Sequence, residues 1–188
     1  MHTLIKKLIN TIYLVIGSAS LSLQVIADGS CIDGFENAAI PFSTPTSDFT
    51  IIGNGTAVHN PTGLMWMQCS MGQFWDSDDN SCLSSNNFYD WDTALQSAQN
   101  FSFAGFNDWR LPNKNELASI IEWRCYTPSI NLSVFPNTFP TGNYWTSTPA
   151  SPDSAWYINF SYGIVRPNRK NGEIFRYAFF VRLVRDAR

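Results

Sequence analysis

The sequence predicts an α+β domain, mainly antiparallel strands with two short helices. Three observations lead there: strand-like runs occupy both ends of the domain, capped helical patterns lie between them, and turn residues punctuate the junctions. A parallel α/β sheet would instead alternate strands and helices along the chain.

Residues 1–27 read as a signal peptide. Lys6 and Lys7 form a basic start, Leu8 to Leu23 carries no charge, and Val25-Ile26-Ala27 offers a cleavage site before Asp28. The alternative, a retained anchor, is disfavoured because the apolar run is short and no stop-transfer segment follows. No cysteine sits at the cleavage point, so a lipid-anchored form is not expected. The expected location is therefore exported: periplasm, cell surface or extracellular. No membrane span is expected after signal removal. Residues 28–47 read as an N-terminal tail, rich in Gly, Ser, Thr and Pro. Residues 48–188 read as the domain, and the chain left after residue 27 is long enough to bury roughly 68–70% of its unfolded surface.

The domain opens with a hairpin. Phe49 to Ile52 and Thr56 to Val58 flank Gly53-Asn54-Gly55, whose Asn-Gly step favours the positive φ of a tight turn. After a second turn at Asn60 to Gly63, Leu64-Met65-Trp66-Met67 reads as a buried strand. A first helix is expected from a cap at Asp90 or Asp92 through Gln99, with Trp91, Leu95 and Ala98 on one face. Asn113 to Glu116 resembles a capping box. Leu117, Ile120 and Ile121 then carry a second helix to near Trp123. Tyr144 to Thr148, Ala155 to Phe160, Ile174 to Tyr177 and Phe179 to Val184 complete the strands. In the last of these Val181 and Leu183 alternate with Arg182, which is expected to face water.

All four cysteines follow the cleavage site, and an even count in an exported chain reads as a disulfide framework. Of three possible pairings, Cys69–Cys82 and Cys31–Cys125 are favoured. The first brackets a loop rich in Gly, Ser, Asp and Asn, and the second ties the tail to the end of a helix. A zinc site is disfavoured because there is no CxxC and His59 is the lone histidine past the signal.

Charge is uneven. Asp28 to Trp109 holds ten acidic residues and no Lys or Arg, whereas Arg166 to Arg188 holds seven basic residues against Glu173 and Asp186. Such asymmetry marks a polyanion-binding face or two halves that pair in the fold. The kit for ordinary catalysis is missing. His59 sits in a turn with no GxSxG motif, so a Ser-His-Asp triad is not expected. Asp76-Ser77-Asp78-Asp79-Asn80 starts like a calcium loop, but Ser81 and Asn87 stand where the Gly and the bidentate Glu belong. Asp108 and Glu116 each have a structural role available: a brace to Arg110 and a helix cap. No catalytic residue, metal or cofactor is expected. Seven tryptophans are available for stacking on sugar faces, and Trp75, inside the presumed disulfide loop, is the one expected to be exposed.

From Gly55 to Arg185 the residues resemble the Lcl C-terminal domain family. The resemblance rests on Thr62-Gly63-Leu64-Met65-Trp66, on Cys69 with Gly72-Gln73-Phe74-Trp75 and Cys82, and on Trp91 to Leu95. It continues through Gly105 to Asn113 with its Asp-Trp-Arg-Leu-Pro core, Glu116-Leu117, Phe135-Pro136, Tyr144 to Thr148 and Ala155-Trp156-Tyr157, and closes with Val181 to Arg185. It implies an α+β domain similar to C-type lectins and sulfatase-modifying factors, at an exported or surface location. In the collagen-like adhesin that gives the family its name, it also implies sulfated-glycan binding and trimer formation. This sequence has no collagen-like repeat.

Three functions compete on this footing. The first is a non-catalytic, adhesin-like binding module for glycans or other polyanions. Its expected ligand-binding residues are Arg166, Arg169, Lys170 and Arg176, around the turn from Asn168 to Gly172, with Trp75 as a stacking ring. The second is a structural or partner-binding component of an envelope or secretion assembly. The third, an enzyme of the sulfatase-modifying type, rests on fold analogy and would need redox-active thiols. The expected partners are sulfated glycans or another envelope protein, and not nucleic acid.

Overall fold

The structure, a computed structural model of the chain, describes residues 31–84, 87–171 and 179–188. Its strands are β1 (Phe49–Ile51), β2 (Thr56–His59), β3 (Leu64–Met67), β4 (Phe74–Asp76), β5 (Ser81–Leu83), β6 (Asn143–Ser151), β7 (Ser154–Asn159), β8 (Ile164–Arg169) and β9 (Val184–Asp186). Among the described residues the α-helices are α1 (Trp91–Gln99) and α2 (Lys114–Ala118). All strand pairs are antiparallel, in sheets ordered β1-β2-β3-β9, β4-β5 and β6-β7-β8. The fold class is α+β, as the sequence predicts.

The first hairpin needs its glycines. Gly55 has φ +84°, and a Cβ there would come 2.8 Å from both the Phe103 ring and the Trp75 ring. Strand β3 is apolar throughout because it has a core on each face. Successive strand residues point to opposite sides, so Leu64 and Trp66 join one cluster with Leu117, Ile121, Phe135 and Tyr144. Met65 and Met67 join another with Trp109, Trp145, Val181 and Leu183. Pairing of Trp66 with Val184 brings the C-terminal strand back beside the first hairpin.

Both helices start where their caps predict. Asp90 accepts a hydrogen bond from the Thr93 N–H at 2.7 Å, and Asn113 with Glu116 forms a complete capping box. The second helix ends earlier than its apolar period suggests, at Ala118 rather than near Trp123. The Ser119 N–H is shared among the carbonyls of Asn115, Glu116 and Leu117, and its Oγ donates to Glu116 O at 2.7 Å. These contacts tighten and close the last turn, while Ile120 and Ile121 still enter the core.

The C-terminal segment also departs from expectation. Phe179 and Phe180 make single bridges to Tyr89 and Tyr144, and the strand proper is Val184–Asp186. Every residue from Phe179 to Arg185 is buried, because this segment threads between the two cores rather than along a surface. Arg182 is therefore fully buried instead of facing water. Its guanidinium donates to the carbonyls of Met67 (3.0 Å) and Gln68 and to Thr138 Oγ1 (2.8 Å), and lies over the Phe135 ring. Burial lowers its pKa, but a guanidinium stays protonated in proteins. The expected strand Ile174 to Tyr177 lies outside the described residues.

Cys31–Cys125 and Cys69–Cys82 are both bridged. The segment before β1 is a fastened strap. Beyond its disulfide, the N–H groups of Ser43 and Thr44 donate to the buried Glu122 carboxylate at 3.0 and 2.7 Å. Asn131 donates to Thr44 O at 3.0 Å.

Candidate functional site: a basic sheet edge and an aromatic cleft

Among the described residues strand β8 ends its sheet, bonded to β7 on one side only. Its register opposes Arg166 to Tyr157 and Arg169 to Ser154. Three residues apart, the two arginines point to opposite faces of the strand. Both are exposed, and neither guanidinium has a hydrogen bond or ion pair among the described residues. Lys170 is placed differently. Its ammonium donates to Pro152 O at 3.0 Å and sits 4.3 Å from the centre of the Trp91 ring, so it braces the β6–β7 turn against α1. Arg169, Lys170 and Asn171 share a cavity of about 500 Å³ with Asp92 and Asp153. The structure thus brings Arg169 and Lys170 together and sets Arg166 further along the same edge. Arg176 lies outside the described residues.

Trp75 is half-buried and is not the most exposed tryptophan. Its ring seats on Gly55, where there is no side chain to exclude it, and its indole donates to Gly53 O at 3.3 Å. The exposed tryptophan is Trp123. It lines a cleft of about 410 Å³ with Asn37, Arg124, Tyr126 and Tyr162. Three aromatic rings there face solvent: Trp123 at 54%, Tyr126 at 36% and Tyr162 at 63%. Three devices hold the cleft. Cys125, bridged to Cys31, lines it. Arg124 pairs with Glu36 at 2.7 Å and lies 4.3 Å from the centre of the Phe42 ring. Gly163, at φ +67°, admits the Trp123 ring, since a Cβ there would meet it at 3.0 Å. Tyr162 and Gly163 form the turn into β8, so the cleft opens at the head of the basic edge. Sequence reasoning missed these rings. The available signal was aromatic side chains crowded around Cys125 and the β7–β8 turn, outside any helical or strand period.

The Asp-Trp-Arg-Leu-Pro run is a structural clasp, and its pairing differs from the brace expected between Asp108 and Arg110. Asp108 accepts from Arg185 at 2.7 and 3.1 Å. Arg110 grips Glu116 at 2.7 and 2.9 Å and reaches Asp186 at 3.5 Å. The bridge between Arg110 and Val184 lays β9 alongside, so two forks meet carboxylates across it. The Arg185 bond holds the Asp108 carboxyl below its usual range. Burial pushes Glu116 up, but its bonds from Arg110 and the Asn113 N–H outweigh this and leave it lowered. The Glu116 bond raises Arg110. Trp109 is buried, with its indole donating to Phe103 O at 3.1 Å.

His59 is buried against the Phe49 ring and bonded to Thr62 at 2.9 Å. Burial lowers its pKa, partly offset by Asp48. Among the described residues no group of three or more His, Cys, Asp and Glu side chains converges to hold a metal. Nor is any described helix long and apolar enough to cross a membrane.

Fold and site together define a disulfide-braced, mainly antiparallel α+β domain. The Lcl C-terminal domain model matches residues 55–185, and the chain belongs to that family. No curated protein matches it. The match begins at the glycine on which Trp75 seats and ends at the arginine that clasps Asp108.

Proposed function

We propose that this protein is an exported, non-catalytic recognition module, adhesin-like, that binds anionic glycans along strand β8. The observation that carries this reading is strand β8 itself, whose Arg166 and Arg169 are exposed and have no side-chain partner among the described residues. It runs roughly 20 Å at about 3.3 Å per residue, from the Tyr162 and Trp123 rings at its head to Arg169 at its foot. Sugar C–H faces stack on aromatic rings, and a guanidinium fork matches sulfate or carboxylate with two parallel bonds. An extended, sulfated or uronate-bearing oligosaccharide lying along the edge offers both features, with Arg166 meeting it from one face of the strand and Arg169 from the other. Two disulfides suit an oxidising compartment. With all four cysteines paired and His59 packed in the core, the obvious nucleophile and base are in structural use.

The test is a heparin column with a salt gradient, followed by calorimetry with a defined sulfated oligosaccharide. The double variant Arg166→Glu/Arg169→Glu should elute at lower salt. Trp123→Ala should weaken oligosaccharide binding and leave the salt dependence intact. Low-salt elution that charge reversal does not change would overturn the reading.

A second reading, contact with another envelope protein, is favoured by the β4–β5 hairpin. Phe74 and Leu83 face each other across it and are both exposed, and such a pair suits a protein interface. Phe74→Ser/Leu83→Ser should abolish co-purification with a partner from envelope extracts and spare heparin binding.

A further inference from the structure

A third cavity, of about 550 Å³, lies away from β8 beside the Cys69–Cys82 bridge. That volume is ordinary for a small-molecule site. One wall is aromatic. Phe88 and Phe139, 60% and 47% exposed, flank the Phe180 ring at centroid distances of 4.7 and 5.4 Å. Among the described residues no carboxylate lines it.

The polar groups on its wall are biased toward donation. Gln73 accepts the Ser70 N–H through Oε1 at 2.9 Å, and Asn137 accepts the Cys82 N–H through Oδ1 at 3.0 Å. A backbone N–H can only donate, so these bonds fix both amide orientations. Each side chain keeps its NH₂ group as a donor. Thr138, also on the wall, accepts from Arg182 at 2.8 Å. Directly behind Thr138, therefore, is a fully buried cation. Arg182 bonds to no carboxylate among the described residues, and its Nε has no partner. A charge in such surroundings is weakly screened and projects into the nearest cavity.

We propose that this cavity binds an amphiphilic anion: an aromatic or acyl body carrying one carboxylate or sulfonate head. The body lies against Phe88, Phe139 and Phe180. The head sits at the Thr138 end, where it meets the two amide donors and the field of Arg182. This site is independent of the β8 edge, and either can fail without the other.

The experiment is calorimetric titration of the purified, oxidised protein with naphthalene-2-sulfonate and with its neutral counterpart, 2-naphthalenemethanol. The sulfonate should bind about tenfold more tightly or better, the equivalent of one hydrogen bond to a charged group. Phe139→Ala and Phe88→Ala, both at partly exposed positions, should lower the melting temperature by only a few degrees and each weaken the sulfonate by about tenfold. Decanoate should displace it. Sedimentation with phosphatidylcholine vesicles carrying oleate then separates two sources of the same chemistry: co-sedimentation that Phe139→Ala abolishes assigns the site to lipid, and its absence to a free anion. Equal affinity for the charged and neutral ligands, or full affinity in both phenylalanine variants, would overturn the proposal.

Discussion

Glu122→Gln is the sharpest test of how the strap is held. The carboxylate is fully buried and accepts five hydrogen bonds. Oε1 takes the N–H of Ser43, the Ser43 hydroxyl and the N–H of Arg124, at 3.0, 3.2 and 2.9 Å. Oε2 takes the N–H and the hydroxyl of Thr44, at 2.7 and 3.1 Å. An amide has the same shape but a single acceptor. In its better orientation it keeps the first three bonds and turns an NH₂ toward the Thr44 N–H, donor against donor. The Thr44 hydroxyl can rotate to accept, but the backbone N–H cannot. One buried N–H is then left unpaired, and three charge-assisted bonds become neutral ones, for a total cost of about 3 kcal/mol. For a domain of this size that lowers the melting temperature by roughly 6–12 °C. Thermal and urea unfolding followed by circular dichroism measure it. Thr44→Ala, which removes only a hydroxyl, should cost about 1 kcal/mol and couple to Glu122→Gln in a double-mutant cycle. A Glu122→Gln protein that melts with the wild type would refute the assignment of this carboxylate as the strap's anchor.

Three further outcomes follow from buried groups. Arg182→Met should cost about 3–5 kcal/mol in urea unfolding, because three acceptors lose their donor inside the core. Replacing Cys69 and Cys82 by alanine should cost about 3 kcal/mol in the chain-entropy model, and replacing Cys31 and Cys125 up to about 4.7 kcal/mol, given separations of 13 and 94 residues. Equal losses by denaturant titration would contradict that scaling. His59 carries a pH signature. Its folded pKa lies below 6.5, so the unfolded chain takes up the proton first as pH falls. The stability it confers is complete above that value and declines through the window below it. Melting temperatures at pH 8 and pH 5 should therefore differ less in His59→Gln than in the wild type.

What the sequence made legible was local. The Asn-Gly hairpin, the Asp90 cap and the Asn113–Glu116 box each depend on neighbours within a few residues, so composition alone places them. The two disulfides were accessible because one closes a loop of turn residues and the other ties the N-terminal tail to the end of a helix. Arg182 was not accessible. Alternation with Val181 and Leu183 is the pattern of a strand with one wet face, and only the core around Phe135 and Tyr144, from elsewhere in the chain, covers the Arg182 face and makes both faces dry. Asp108 likewise bonds an arginine 77 positions away rather than the one two positions on. The candidate site was half visible. Clustered charge pointed to Arg166 and Arg169, but cannot tell a free arginine from a lysine lying on Trp91. The exposed rings of the cleft were hidden because exposure of an aromatic is decided by what folds over it.

Gly163 joins that cleft to the basic edge, and its substitution separates their contributions. Its φ of +67° is left-handed, and a methyl group there would press 2.8 Å from Ile121 Cγ2 and 3.0 Å from the Trp123 ring. Ile121 belongs to the packed core and cannot retreat, whereas Trp123 borders solvent and can. Gly163→Ala should therefore cost about 1–2 kcal/mol in backbone strain and tilt the indole outward. Arg166 and Arg169, paired to β7 through an unchanged register, should stay in place. Binding of a sulfated oligosaccharide should then fall, while the dependence of its affinity on salt concentration keeps the same slope, since that slope counts ionic contacts. If the slope falls with the affinity, ring and arginines do not act as separable parts of one track, and the β8 reading loses its geometric basis.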